Sequence, residues 1–198
     1  MQNPFTTTFS KVPKATYIIT DQEKEVLENF SYEEPSESVY KITGVRGSGK
    51  TVLLAKIQDE IKKNGDNWIV SRLSPARDLL RQFAADLMKE KKLNSKPKVK
   101  NVNVSINIMG SGGGIGVDRD AAGQITDIGV EIEKMLKTAK KQHMKILIGI
   151  DEVSKTREMV VFASEFSKWL MADYPVYLVC TGLYENMEQL SNVKNLTF

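Results

Sequence analysis

A chain of 198 residues with 41% hydrophobic and 27% charged residues suffices for one soluble domain with a sizeable core, or for a domain plus an attachment. A formal net charge of +3 is too small to name nucleic acid as a partner, and a single cysteine, Cys180, excludes an internal disulfide framework and suits a reducing cytoplasm. No apolar run approaches membrane-spanning length and no basic-then-apolar leader opens the chain, so a cytoplasmic protein without a membrane partner is expected.

Residues 1–19 read as irregular, since Pro4 and Pro13 break any helix and Phe5, Phe9, Val12 and Tyr17 are scattered among threonines. These side chains either cover one edge of the core or bring Tyr17, Ile18 and Ile19 against a bound base; the residues leave both open. Thr20-x-x-Glu23 is a capping box that opens a short helix running to about Phe30. After a loop at 33–36, the β-branched and aromatic run Val39, Tyr40, Ile42, Thr43 predicts a buried strand.

That strand leads into Gly44, Val45, Arg46, Gly47, Ser48, Gly49, Lys50, Thr51 and Val52, which contain the pattern G-x-x-x-x-G-K-[ST] at 44–51. Leu53, Leu54, Ile57 and Ile61 then recur at helical spacing, and Asn64-Gly65 stops the helix. The residue types have a chemical reason. The glycines let successive backbone N–H groups converge on one anion, and the loop empties into a helix N-terminus whose unpaired N–H groups and dipole favour phosphate. Lys50 is placed to reach the outer phosphates of a nucleotide, and the Thr51 hydroxyl to serve Mg²⁺. Strand, loop and helix in this order predict a nucleotide-binding site.

A second strand is predicted at 67–73, followed by Ser74-Pro75 as N-cap and first helical residue of a helix with Leu79, Leu80, Phe83, Leu87 and Met88 on one face. Lys89, Lys91, Lys92, Lys96, Lys98 and Lys100 face the single Glu90 around a basic loop at 94–100. With no aromatic residue interleaved to stack on bases, a solvated face outweighs a DNA or acidic-partner contact. Val102, Val104, Ile106 and Ile108 alternate with polar residues, and Gly110, Gly112, Gly113 and Gly114 follow, so an inserted hairpin is expected at about 99–118.

An amphipathic helix is predicted at 125–142, and then a buried strand, 145–150, apolar from Ile146 onward, ends in Asp151-Glu152. Ligands of parallel sheets sit at the carboxyl ends of strands, so this pair reads as site rather than as the cap of the helix expected from about 155 to 170. The last strand, 176–180, runs into Thr181-Gly182 and places a hydroxyl at the same edge. Cys180 reads as a small buried hydrophobe, and His143, the only histidine, is assigned no role.

GVRGSGKT, ILIGIDE and LVCTG together resemble the P-loop ATPases of the AAA+ and STAND type. The opening Asn3-Pro4-Phe5 and the TGLYENM segment are similar to bacterial and archaeal ATPases related to origin-recognition proteins. The resemblance implies a three-layer α/β fold with a mostly parallel sheet of strand order 5-1-4-3-2, the Thr181 strand lying between those of the P-loop and Asp151. It implies that Lys50 and Thr51 hold phosphate and Mg²⁺, that Asp151 orients the metal shell, that Glu152 polarises the attacking water, and that Thr181 senses the γ-phosphate. It also implies that 1–198 is a single ATP-binding domain with an N-terminal segment 1–37, whose fifth strand and C-terminal lid would come later in a longer protein.

Two functions compete on these residues. One is an ATPase that couples Mg·ATP hydrolysis to conformational change or assembly, as a homo-oligomer or with a partner protein. The other is a nucleotide-dependent switch with little turnover. Glu152 favours the first, because a pure switch needs no water-orienting carboxylate. A GTPase is disfavoured, since no N/T-K-x-D motif follows and Asp151 does not start D-x-x-G.

Overall fold

The computed structural model describes residues 18–93, 118–119 and 125–192. Four strands, β1 (Val39–Thr43), β2 (Trp68–Leu73), β5 (Lys145–Ile150) and β6 (Val176–Gly182), form one parallel sheet in the order β1-β6-β5-β2. The strand that carries Thr181 thus lies between the strand of the Gly44 loop and the strand of Asp151, as expected. Two short segments, β3 (Asp118–Arg119) and β4 (Ile125–Thr126), pair antiparallel. The expected basic loop at 94–100 and the strand and glycine tip expected between 99 and 117 lie outside the described residues, as does most of the N-terminal segment expected to be irregular.

Helices cover both faces. On one side α3 (Leu79–Lys89), α4 (Ile128–Lys141), α5 (Arg157–Met171) and α6 (Tyr184–Ser191) build the larger core around Phe83, Leu136, Phe162, Phe166 and Trp169. On the other, α1 (Asp21–Ser31) and α2 (Lys50–Asn64) pack Val26, Phe30, Leu54, Ile57 and Ile61 against the sheet. β5 is buried along its whole length because its side chains alternate between the two cores: Ile146, Ile148 and Ile150 enter the larger, Leu147 the smaller. A strand sandwiched this way has no solvent face to signal with polar residues, hence its apolar sequence from Ile146 to Ile150.

The helix starts show how local chemistry decides boundaries. Thr20 caps α1 by accepting from the Glu23 amide at 3.2 Å, as the capping box predicts. α3 begins later than expected. Ser74 is held in a turn, its amide donating to Gln82 Oε1 (3.0 Å) and its carbonyl accepting from Gln82 Nε2 (2.9 Å), so the helix starts after Asp78, which caps the Arg81 amide. Likewise α4 starts after Asp127 rather than at Ile125, and α5 after Thr156, whose hydroxyl accepts from the Met159 amide. In each case a side-chain acceptor three or fewer residues ahead of the amide it serves wins the first turn.

Candidate functional site

β1 delivers the chain to the carboxyl edge of the sheet, where residues 44–49 turn back into α2. The turn uses left-handed backbone at Gly47 (φ 78°) and Gly49 (φ 84°), a conformation that would strain any side chain. Gly44 meets a steric limit instead, since a Cβ there would lie 2.8 Å from Ser48 Oγ. The Ser48 amide closes the turn onto the Val45 carbonyl at 3.3 Å.

The start of α2 is electrostatically unlike the other described helices. Four of these, α1, α3, α4 and α5, are capped by a side-chain oxygen, and α6 carries Glu185 in its first turn; α2 has neither a side-chain cap nor an acidic first turn. Its first N–H groups and positive dipole end are thus left without an anionic side chain, which suits an external anion. Lys50 Nζ is held over the same loop, donating to the carbonyl oxygens of Gly44 (2.8 Å) and Val45 (2.7 Å). Val45, Arg46, Gly47, Ser48 and Gly49 are exposed around it.

Asp151 follows β5 at the same edge. The Thr51 hydroxyl donates to Asp151 Oδ2 at 2.8 Å, joining two stretches a hundred residues apart. The other carboxylate oxygen, Oδ1, accepts from the Thr181 hydroxyl, and that hydroxyl accepts in turn from the Glu152 amide at 3.0 Å. The Val153 amide donates to the Thr181 carbonyl at 2.8 Å. Thr181 is fully buried, 0% exposed, whereas the Glu152 side chain is exposed. Glu152 sits at φ 55°, a left-handed conformation that a residue of this type rarely adopts.

The predicted residues therefore converge: Lys50, Thr51, Asp151, Glu152 and Thr181 lie at one edge, with Thr181 behind the carboxylates. Val52 is half-buried in the first turn of α2. Two positions escaped the sequence analysis. Gln58, only 3% exposed, lies on Gly149 so closely that a Cβ on the glycine would come within 1.8 Å of Gln58 Nε2. A glycine inside an otherwise apolar strand was the available signal of such an approach. Ser71, fully buried on β2, donates from Oγ to Asp86 Oδ2 at 2.9 Å and ties α3 to the sheet.

Burial pushes the Cys180 thiol up to about 12, far from a thiolate at neutral pH. His143 is exposed in a turn after α4. Among the described residues no cluster of His, Cys, Asp or Glu of metal-site size exists, and no helix is long and apolar enough to cross a membrane.

A glycine loop between a parallel strand and a helix, with a lysine and a threonine at its exit and an aspartate at the end of a neighbouring strand, defines a P-loop NTPase domain. Residues 19–163 match the KAP family P-loop domain, and the chain belongs to that family. No curated protein was matched by the sequence. Among solved structures the chain is similar to AMPPCP-bound DnaA from Aquifex aeolicus, at 18% identity over 90% of this chain and 44% of that one, with a TM-score of 0.42. It is also similar to the Aeropyrum pernix ORC1 protein in complex with DNA, at 14% identity over 90% and 43%, with a TM-score of 0.46. The chain thus spans less than half the length of either protein.

Proposed function

We propose that this domain binds Mg·ATP at the loop formed by residues 44–52 and hydrolyses it with the Asp151-Glu152 pair, coupling turnover to conformational change or assembly. The observation that carries the reading is the 2.8 Å bond between Thr51 and Asp151, which brings the end of the phosphate loop and the carboxylate strand into one site. The loop amides, the start of α2 and Lys50 would hold the phosphates by converging donors and positive charge.

The donor set fits magnesium: one hydroxyl and one carboxylate, both hard oxygens, the remaining positions left to water and phosphate. Thr51 and Asp151 would hold the ion, which when bound supplies charge neutralisation at the phosphates. Glu152, exposed beside Asp151, would accept a proton from water as the water oxygen bonds to the terminal phosphorus and the bond to the ADP oxygen breaks.

The direction of α1 supports a base-binding side at its first turn. Its last turn is tied to the first residue of β5, where Lys145 Nζ donates to the Tyr32 carbonyl, so its first turn points towards the loop edge. Ile18, 81% exposed, and Ile19 precede that turn, which supports their lying against a base.

The test is titration with ATP, ADP and GTP followed by phosphate release. Binding of ATP with Mg²⁺-dependent release is the expected result. Tight binding without release would replace hydrolysis by the switch, and no binding of any nucleotide would sink both.

A further inference from the structure

The Glu152 backbone is the one strained position in the site that glycine does not relieve. Left-handed φ at such a residue costs about 1–2 kcal/mol and persists only where neighbours over-determine it. Thr181 supplies that determination twice. Its hydroxyl takes the Glu152 amide at 3.0 Å and its carbonyl takes the Val153 amide at 2.8 Å, so two successive peptide groups are clamped to the end of β6. Val153 is fully buried, and Gly182 lies so near that a Cβ would stand 3.2 Å from the Val153 carbonyl oxygen and 3.3 Å from its Cγ2. The turn that carries Glu152 is thus seated on Thr181 and Gly182.

The Thr181 hydroxyl has a single proton to give, and it goes to Asp151 Oδ1, so none is left to donate to a phosphate oxygen; the hydroxyl oxygen accepts from the Glu152 amide. With its side chain fully buried, it reaches no space in which a phosphate would sit.

We propose that Thr181 is the positioning residue for Glu152: its buried hydroxyl locks the amide of Glu152 to the carboxylate of Asp151 and so holds the water-activating carboxylate at the open edge of the site. The inference rests on the hydrolytic reading above. It assigns Thr181 an action through Glu152 instead of contact with the nucleotide. Because Asp151 Oδ2 is bonded to Thr51, the same hydroxyl links the position of Glu152 to the loop exit.

The experiment compares the full chain with Thr181→Val and Thr181→Ser, reading kcat, the dissociation constants of ATP and ADP, and thermal midpoint. Thr181→Val keeps the shape and removes the hydroxyl. The expected result is a fall in kcat of about tenfold or more with both dissociation constants within about twofold, since misplacing a reacting group costs rate rather than binding. Thr181→Ser, which restores the hydroxyl, is expected to recover most of kcat. Unchanged kcat in Thr181→Val overturns the proposal. So does a selective loss of ATP over ADP affinity, which would mean direct phosphate contact, or a parallel loss of rate, affinity and midpoint, which would mean a merely structural role.

Should Thr181→Val fail to fold, Thr181→Ala carries the same test. It removes the hydroxyl without adding bulk, and the same loss of kcat at unchanged ATP affinity is expected; full activity would overturn the proposal. Absence of phosphate release from the unaltered chain would instead sink the hydrolytic reading itself, so the two failures are distinguishable.

Discussion

The two ends of the sheet are built on opposite principles. At the carboxyl edge polar atoms gather around a glycine loop, two residues of the loop and Glu152 stand in left-handed backbone, and Lys50, Asp151 and Glu152 bring charge together. At the amino edge Phe30, Tyr40, Trp68 and Tyr177 pack ring against ring with centroids 5.2–5.6 Å apart, and the Lys145 ammonium stands 5.3 Å over the Trp68 ring. α1 and α2 span both ends. The contrast teaches that left-handed backbone and exposed donors can be gathered at one edge of a sheet while close ring packing is kept at the other.

Five substitutions, one of them used only in a double variant, would break or sharpen that contrast. Lys50→Ala should have the largest effect, lowering ATP affinity by about a hundredfold or more through loss of a charged donor to phosphate, as calorimetry would read. The fold should survive, because the Gly44 and Val45 carbonyls that Lys50 engages belong to a loop open to water. Unchanged affinity would remove the loop from the site. Glu152→Gln should keep affinity and lower phosphate release by about 10²–10⁴-fold, since the amide retains size but cannot take a proton. Lost binding with retained turnover per bound nucleotide would mean that Asp151 and Glu152 have exchanged roles.

Gly149→Ala acts between the two ends. Its methyl would collide with Gln58, and because Gln58 is buried under α2 the helix or the side chain must yield, at about 1–3 kcal/mol in thermal unfolding. Adding Gln58→Ala should restore part of that loss, and a strictly additive double variant would show that the contact is not the cause.

The smallest effect belongs to the aromatic end. Burial lowers the Lys145 ammonium below its usual range, against the opposing pull of Glu33. The unfolded chain therefore binds the proton more tightly, and stability should rise with pH from the folded value up to the ordinary lysine range. Burial raises Tyr40 and Tyr177, so above about pH 10 the folded chain keeps protons that the unfolded chain has lost, and stability should fall. Lys145→Met should abolish the rise, keep the fall, and leave ATP affinity unchanged. A persistent rise in denaturation experiments across that range would show that another group is responsible.

Much of this was legible from local pattern. The strand, the glycine loop and the helix after it depend on residues within a few positions of one another, and Gly47, Gly49 and the Asn64-Gly65 stop fall where turn and cap chemistry require. The apolar 146–150 run could only be a strand covered on both faces, and the resemblance of three short motifs to P-loop ATPases carried the strand order that the sheet shows. Less legible were features set by neighbours distant in sequence. Ser74-Pro75 has every local mark of a helix start, yet Gln82, eight residues on, holds Ser74 in a turn and hands the cap to Asp78. Gln58 reads as an ordinary surface residue of α2 until Gly149, ninety positions away, provides the space that buries it. Lys50 and Thr51 could be named as candidates from the glycine-loop pattern, and Asp151 and Glu152 from their place at the end of a buried strand. That Thr181 turns inward, joins the Asp151 carboxylate to the Glu152 amide and sustains a left-handed glutamate was settled only when β6 came to lie between β1 and β5, since a hydroxyl declares its partners only once packing has removed water from around it.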